Sequence, residues 1–177
     1  MTRLVYYVAQ SVDGFIADEA GGVGFLDGLD ETGEDYGYAD FYSGVDSLVM
    51  GRATYDFVRS MGVWHYAGKP TVVMTSRPGD DAPEGVRFSS GDPRQVLDEV
   101  RAAGGRSTWL VGGGRLAGAF GAAGLIDEWI VTVIPCVLGA GVSLVSGMPA
   151  TTALELIDHV SYRGGVVQLR YRIASTS

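Results

Sequence analysis

The sequence predicts an α/β domain: a three-layer αβα sandwich with a mostly parallel central sheet and a C-terminal antiparallel hairpin. Three observations carry this reading. Short apolar runs rich in β-formers alternate with segments of helical spacing. Clusters of Gly, Pro and Asp separate them. The last run, Val167 to Ile173, alternates apolar with polar residues, as a half-exposed strand does.

Leu4 to Ala9 is apolar without alternation, as in a strand covered on both faces, and Asp13-Gly14 follows as a turn. Residues 18–34 are rich in Gly, Asp and Glu and form a surface loop leading to a helix around Tyr36 to Tyr42. Ser47 to Met50 is the next buried strand. Gly51 ends it, and Tyr55 and Val58, three apart, suit a helix over 52–60. Thr71 to Thr75 is a third strand, stopped by Arg77-Pro78-Gly79, and Val86 to Ser89 a short fourth. Asp92-Pro93 starts a helix whose apolar face is Val96, Leu97 and Val100, and Gly104 stops it. Thr108 to Val111 returns as a strand, a glycine triplet follows, and residues 115–123 make a small-residue helix with Leu116 and Phe120 on one face. Trp129 to Ile134 is another buried strand. Residues 153–173 form the hairpin, turning at Arg163-Gly164-Gly165.

A chain of 177 residues suits one domain, 1–177. A net charge of -8 excludes nucleic acid and anionic membranes as partners, so any phosphate ligand must be held by a local positive site. Cys136, the single cysteine, fits a reducing cytoplasm, and His65 and His159 stand too far apart in sequence for a histidine metal pair. From Trp129 to Leu154 no residue is charged, yet Pro135, Gly139, Gly141, Gly147 and Pro149 break up any membrane span, leaving a buried strand and a glycine-rich loop. That stretch offers more apolar surface than one small domain covers, which points to a homodimer.

Three strand-to-helix or strand-to-turn junctions carry the chemistry. Gly112, Gly113 and Gly114, with Arg115, can bring backbone amides and a helix dipole to a phosphate, or can simply make a tight turn. Gly51-Arg52-Ala53-Thr54 repeats the arrangement: Arg52 and Thr54 can hold a phosphate, or serve as a solvated charge and a cap. Ser76-Arg77 at the end of the third strand suits a ribose 2'-phosphate, or a plain surface turn. In a parallel sheet all three meet at one edge, where Arg52, Arg77 and Arg115 supply the positive site.

Ala9-Gln10-Ser11-Val12-Asp13-Gly14-Phe15-Ile16-Ala17, Leu48 to Tyr55, Val73 to Arg77 and Val111 to Leu116 resemble, in order and spacing, the cofactor motifs of the dihydrofolate reductase superfamily. Ile134 to Leu144 resembles the Pro-x-Leu-Leu-Gly-x-Gly-x-x-Leu-Phe stretch of the branch containing the reductase domain of bifunctional riboflavin-biosynthesis enzymes. The resemblance implies NADPH as hydride donor and an often cis glycine-glycine peptide at the triplet. By position, the Ala9 backbone and the Ile16 side chain border the nicotinamide. Gly51, Arg52, Ala53 and Thr54 wrap the pyrophosphate together with Gly112, Gly113, Gly114, Arg115 and Leu116, while Ser76 and Arg77 face the 2'-phosphate. Thr132 contacts the substrate side.

Hydride delivery to C=N or C=O leaves charge on the heteroatom and calls for a proton donor or a polarising group. Asp35 matches the position of the buried substrate carboxylate of dihydrofolate reductases, although Gly33-Glu34-Asp35 also reads as a capping cluster. Aromatic Tyr7, Phe15, Tyr36 and Tyr38 can line a flat-ring pocket or fill the core. The chain departs from riboflavin-pathway reductases in having Phe15 after the first Asp-Gly, no long Asn-Pro segment after the second strand and no attached deaminase. The expectation is an NADPH-dependent reductase of a pterin- or aminopyrimidine-like heterocycle, similar to 5-amino-6-(5-phosphoribosylamino)uracil reductase. The alternative is a non-catalytic NADPH-binding or assembly protein on the same fold.

Overall fold

A computed structural model describes residues 3–29, 33–79 and 81–174. Within them the chain runs β1 (Arg3–Ser11), β2 (Phe15–Ala17), α1 (Tyr38–Ser43), β3 (Ser47–Gly51), α2 (Arg52–Ser60), β4 (Thr71–Met74) and β5 (Val86–Ser89). It continues through α3 (Pro93–Ala102), β6 (Ser107–Gly112), α4 (Gly114–Ala122), β7 (Glu128–Ile134), β8 (Val142–Ser143), β9 (Leu154–Ser161) and β10 (Val167–Ile173). Residues 30–32 of the loop expected over 18–34 lie outside the described residues.

The main sheet has the order β5-β4-β3-β6-β1-β7-β10-β9. Its first six strands are parallel, and β10 and β9 close it as the antiparallel hairpin. Residues on successive strand positions face opposite sides. Leu4, Tyr6, Val8 and Leu110 therefore pack with Val96, Leu97 and Val100 of α3 and Phe120 of α4, forming one core. Leu48, Met50 and Trp109 pack on the other side with Tyr55 of α2 and Phe41 of α1. This is the expected αβα layering.

α3 shows how completely a local sequence can specify an element. Asp92 accepts from Gln95 N at 3.0 Å and Gln95 Oε1 accepts from Asp92 N at 3.1 Å, a reciprocal capping box with Pro93 at the first helical position. Gly104 ends the helix at φ 93.

The uncharged stretch from Trp129 divides in two. β7 lies inside the sheet between β1 and β10, and the glycine-rich loop after it contributes β8, which pairs antiparallel with β2. β7 is buried, whereas Val137 and Val142 of the loop are exposed, and further exposed apolar residues lie on β9 and β10: Leu154, Leu156, Ile157, Val160 and Ile173. No helix among the described residues is long and apolar enough to cross a membrane.

Candidate functional site

The parallel strands bring their carboxyl ends to one edge, and the three junctions meet there. Met50 is in register with Gly112 and Gly51 with Met74, so the chain leaves the sheet for α2 beside the points where it leaves for α4 and for the Thr75-Ser76-Arg77 turn. A Cβ on Gly112 would lie 3.5 Å from Thr54 Oγ1, and one on Gly51 would lie 4.0 Å from both the Gly112 carbonyl and Leu116 Cδ2. The starts of α2 and α4 therefore lie close together.

Both helices begin without a side-chain cap. Gly51 caps α2 and Gly113 caps α4, and neither offers a hydrogen bond to the free N–H groups of the first turn. α3, which starts at the same edge beyond β5, carries the full box. Helix starts without side-chain caps carry a positive dipole end, a setting suited to an anion. Arg52 braces it: Nε donates to Asp56 Oδ1 at 2.7 Å and Nη1 to the Arg77 carbonyl at 2.5 Å. Arg77 and Arg115 make no ion pair among the described residues, and Ser76, Arg77, Ala53 and Arg115 are exposed at this edge.

All peptide bonds among the described residues are trans, so the cis linkage implied for the glycine triplet is not present. Gly113 makes the turn through its own backbone freedom, at φ 104.

The glycine-rich loop after β7 completes the edge by backbone packing. A Cβ at Gly114 would stand 2.1 Å from the Ser143 carbonyl, one at Gly118 1.7 Å from that of Ser146, and one at Gly141 2.1 Å from that of Ala17. Asp13, expected as a turn residue, holds this loop. Its carboxylate accepts from Ser11 Oγ at 2.6 Å, Gly139 N at 2.7 Å and Leu138 N at 3.1 Å. The Ser11 hydroxyl first, and then the two amides, hold the Asp13 carboxyl below the usual carboxylate range.

On the α1 side, Thr132 of β7 is buried and stands opposite Ala9 of β1 and Gln168 of β10. Gln168 Nε2 donates to Thr132 Oγ1 at 3.0 Å and to the Tyr36 carbonyl at 3.1 Å, and Tyr7 Oη donates to the same carbonyl at 3.3 Å. Tyr36 holds that carbonyl in place with a left-handed backbone, φ 54, unusual for a residue other than glycine and a recurrent mark of functional sites. Tyr7 stacks on Phe41 with ring centroids 4.3 Å apart, and burial raises the pKa of its phenol. A cleft of about 310 Å³ opens on this face, from Tyr7, Phe41 and Gln168 to Arg3, Val45 and Ser107 at the amino ends of the strands; buried Thr132 does not line it but is bonded to Gln168, which does.

Asp35 does not occupy the buried position expected of a substrate carboxylate. It is exposed, accepting from Ala39 N at 3.1 Å and Gly37 N at 3.0 Å, and these two bonds hold its carboxyl below the usual range. Its carboxylate thus binds two N–H groups at the start of α1, as a capping cluster does. The buried carboxylate on this side is Glu128, clamped between Arg3 and Arg170. It lies four residues down β7 from Thr132, roughly 13 Å away. Gln168 is legible in the sequence only as a polar residue of an alternating strand, because its role depends on the pairing partner that the sheet order supplies.

The fold and this edge define a dihydrofolate reductase-like α/β protein. More narrowly, the chain belongs to the RibD C-terminal domain family, whose sequence profile matches residues 2–168. It is 37% identical over 170 residues to the uncharacterized protein YwjB of Bacillus subtilis, covering 96% of this chain and 97% of that one. Among solved structures it is similar to a protein of Shewanella sp. PV-4 named for riboflavin biosynthesis, with 29% identity, a TM-score of 0.87 and coverage of 99% and 100% of the two chains. Two more distant structures share the fold. One is dihydrofolate reductase of Enterococcus faecalis complexed with NADP(H), with 20% identity, a TM-score of 0.65 and coverage of 98% of this chain and 97% of that one. The other is the bifunctional deaminase/5-amino-6-(5-phosphoribosylamino)uracil reductase of Thermotoga maritima, with 13% identity, a TM-score of 0.73 and coverage of 98% and 57%.

Proposed function

We propose that this reductase-family protein uses NADPH to deliver hydride to a small pterin- or aminopyrimidine-like heterocycle, the reaction class of 5-amino-6-(5-phosphoribosylamino)uracil reductase. The observation that carries the reading is the pair of uncapped helix starts, Gly51 and Gly113, brought side by side at one sheet edge. A pyrophosphate supplies the caps that both lack. Gly51 to Thr54 and Gly112 to Leu116 are assigned to it, Ser76 and Arg77 to the 2'-phosphate, and Ala9 and Ile16 to the nicotinamide.

Bound NADPH supplies the hydride. The chain's own residues orient the acceptor at the Tyr7 and Gln168 end of the cleft, the end beside Thr132, where the Tyr7 ring is half-buried. Thr132 Oγ1 accepts from Gln168, which leaves its own proton free to polarise the substrate heteroatom as charge develops there. The protonated Tyr7 phenol supports the same region. Asp35, its carboxylate used by two backbone amides, is left out of proton delivery. The reaction balances with substrate, NADPH and one proton giving reduced substrate and NADP.

We place the enzyme in the cytoplasm, in keeping with its lone cysteine. We further propose that it pairs as a homodimer through the exposed edge of β9. Steady-state oxidation of NADPH with a panel of pterins and aminopyrimidines tests the reaction. Binding of NADPH without turnover of any of them would favour the non-catalytic alternative.

A further inference from the structure

Ala9 of β1, Thr132 of β7 and Gln168 of β10 stand side by side, in register across three neighbouring strands. Residues paired in this way share a face of the sheet, so all three lie on the face of Tyr7, whose ring stacks on Phe41 of α1. The residue assigned to the nicotinamide and the amide of Gln168 therefore belong to one side of the molecule.

The orientation of that amide is fixed by its surroundings. Nε2 lies 3.0 Å from Thr132 Oγ1, 3.1 Å from the Tyr36 carbonyl and 3.4 Å from Tyr7 Oη. A carbonyl only accepts, so the nitrogen and not the oxygen must lie against Tyr36. Both amide protons are engaged within the chain. The oxygen is not: Gln168 lines the cleft, and its Oε1 accepts no hydrogen bond from any described residue. It is an acceptor held in one direction by the contacts of its own nitrogen, at the cleft end given above to the heterocycle.

The chemistry of its partner is constrained. An amide oxygen takes a donor, and it carries no charge. A carboxylate there would favour a protonated amino-heterocycle, charge against charge, whereas beside an amide the desolvation of a cation goes uncompensated. Asp35 cannot supply that carboxylate, being engaged by the Gly37 and Ala39 amides. Of the carboxylates that line the cleft, Asp158 stands level with Arg170, and Asp40 is exposed on α1. Among pterin- and pyrimidine-like rings, the neutral donor that suits Oε1 is a ring N–H beside a carbonyl.

We propose that Gln168 determines specificity on the substrate side, its Oε1 accepting a hydrogen bond from one neutral ring N–H and so selecting lactam heterocycles over N-alkylated or protonated ones. The inference deepens the reaction proposed above and rests on it for the place of the substrate.

The probes are lumazine, with N–H groups at both N1 and N3, its two monomethyl isomers and 1,3-dimethyllumazine, which keeps both carbonyls and has no N–H donor. Kd is measured by ligand fluorescence with excess NADP, at a pH that keeps lumazine neutral, for wild type, Gln168→Met and Gln168→Leu. Wild type should bind lumazine about tenfold more tightly than the dimethyl compound, the worth of one hydrogen bond. One monomethyl isomer should bind like lumazine and the other like the dimethyl compound. Both variants, shown to be folded by thermal unfolding, should bind lumazine and the dimethyl compound alike. A preference that persists in a folded variant would trace to a steric clash of the methyl groups and overturn the inference. So would equal binding of the two monomethyl isomers by wild type, a result that needs no variant. If wild type binds none of these rings yet oxidises NADPH with another heterocycle, the inference fails alone. If it binds none and oxidises NADPH with no heterocycle, the reaction reading fails with it.

Discussion

Met50 of β3 stands in register with Gly112 of β6, and this single pairing sets the start of α2 against the start of α4. The glycines around it do different work. Gly112 has ordinary surroundings, since an added Cβ would meet Thr54 Oγ1 at 3.5 Å, whereas one at Gly118 would lie 1.7 Å from the Ser146 carbonyl. Gly112→Ala is therefore expected to fold with nearly unchanged Tm and to lose NADPH affinity, by about tenfold or more, as the methyl enters the phosphate cradle. Gly118→Ala should instead lose stability, on the order of 1–3 kcal/mol or more, because backbone must move. Thermal unfolding and cofactor titration on both variants separate the roles, and a Gly112→Ala protein that binds NADPH normally would remove the cradle assignment.

Arg77 makes no ion pair among the described residues, while Arg52 is already committed to Asp56 and the Arg77 carbonyl. Removing the Arg77 side chain should leave the junction standing and subtract one charged contact with a 2'-phosphate. Arg77→Ala is expected to weaken NADPH about ten- to a hundredfold and leave NADH almost unaffected. Equal effects on the two cofactors would show that Arg77 does not read the 2'-phosphate.

Much of this architecture is legible in the amino-acid sequence alone. α2 occupies the residues that the Tyr55 and Val58 spacing marks, and the Asp92-Pro93 start of α3 is a cap whose rules are purely local. The parallel edge follows from strands alternating with helices. What escapes the sequence depends on partners distant along the chain. Glu128 sits at the first residue of β7 and is buried because Arg3 and Arg170 arrive from two other strands. β8 has only the two residues Val142 and Ser143, too few to show a period. The distance of Asp35 along the chain is legible, whereas its exposure and its bonds to the Gly37 and Ala39 amides depend on how α1 starts.

Asp35 and Thr132 can be told apart by kinetics. Asp35→Asn should leave turnover within about twofold of wild type, as befits a carboxylate engaged by two backbone amides, with a slightly lower Tm. Thr132→Val keeps the shape of the buried side chain and removes the hydroxyl that Gln168 orients. It should lower kcat by roughly 10²-fold with little change in NADPH affinity. The reverse ranking would return Asp35 to the reaction and dismiss Thr132.

The Asp13 latch has an acid limit. Its carboxyl titrates below the usual range in the folded chain, so its contribution is fully present above the unfolded value, about pH 4, and is lost as pH falls through the lower, folded value. Wild type should therefore exceed Asp13→Asn in Tm at neutral pH, and the gap should close as pH drops below about 4. Proteolysis of the 136–147 loop should speed up over the same interval. A gap that stays constant with pH would mean that Asp13 acts without its charge.

β9 is exposed along its whole length, and its outer edge has no strand partner among the described residues. Long edges of this kind attract another strand, and soluble proteins usually bend, charge or cover them. Here Leu154 and Leu156 lie on one face of the edge strand and Ile173 stands beside them on β10, giving an apolar strip that a second copy can cover. Sedimentation at micromolar concentration is expected to give twice the 18.7 kDa of one chain. Leu156 is 48% exposed, so Leu156→Lys costs the folded chain little while placing a charge in the contact, and it should sediment as a monomer with its Tm nearly unchanged. A wild type that sediments as a monomer, or a Leu156→Lys variant that stays paired, would move the interface away from β9.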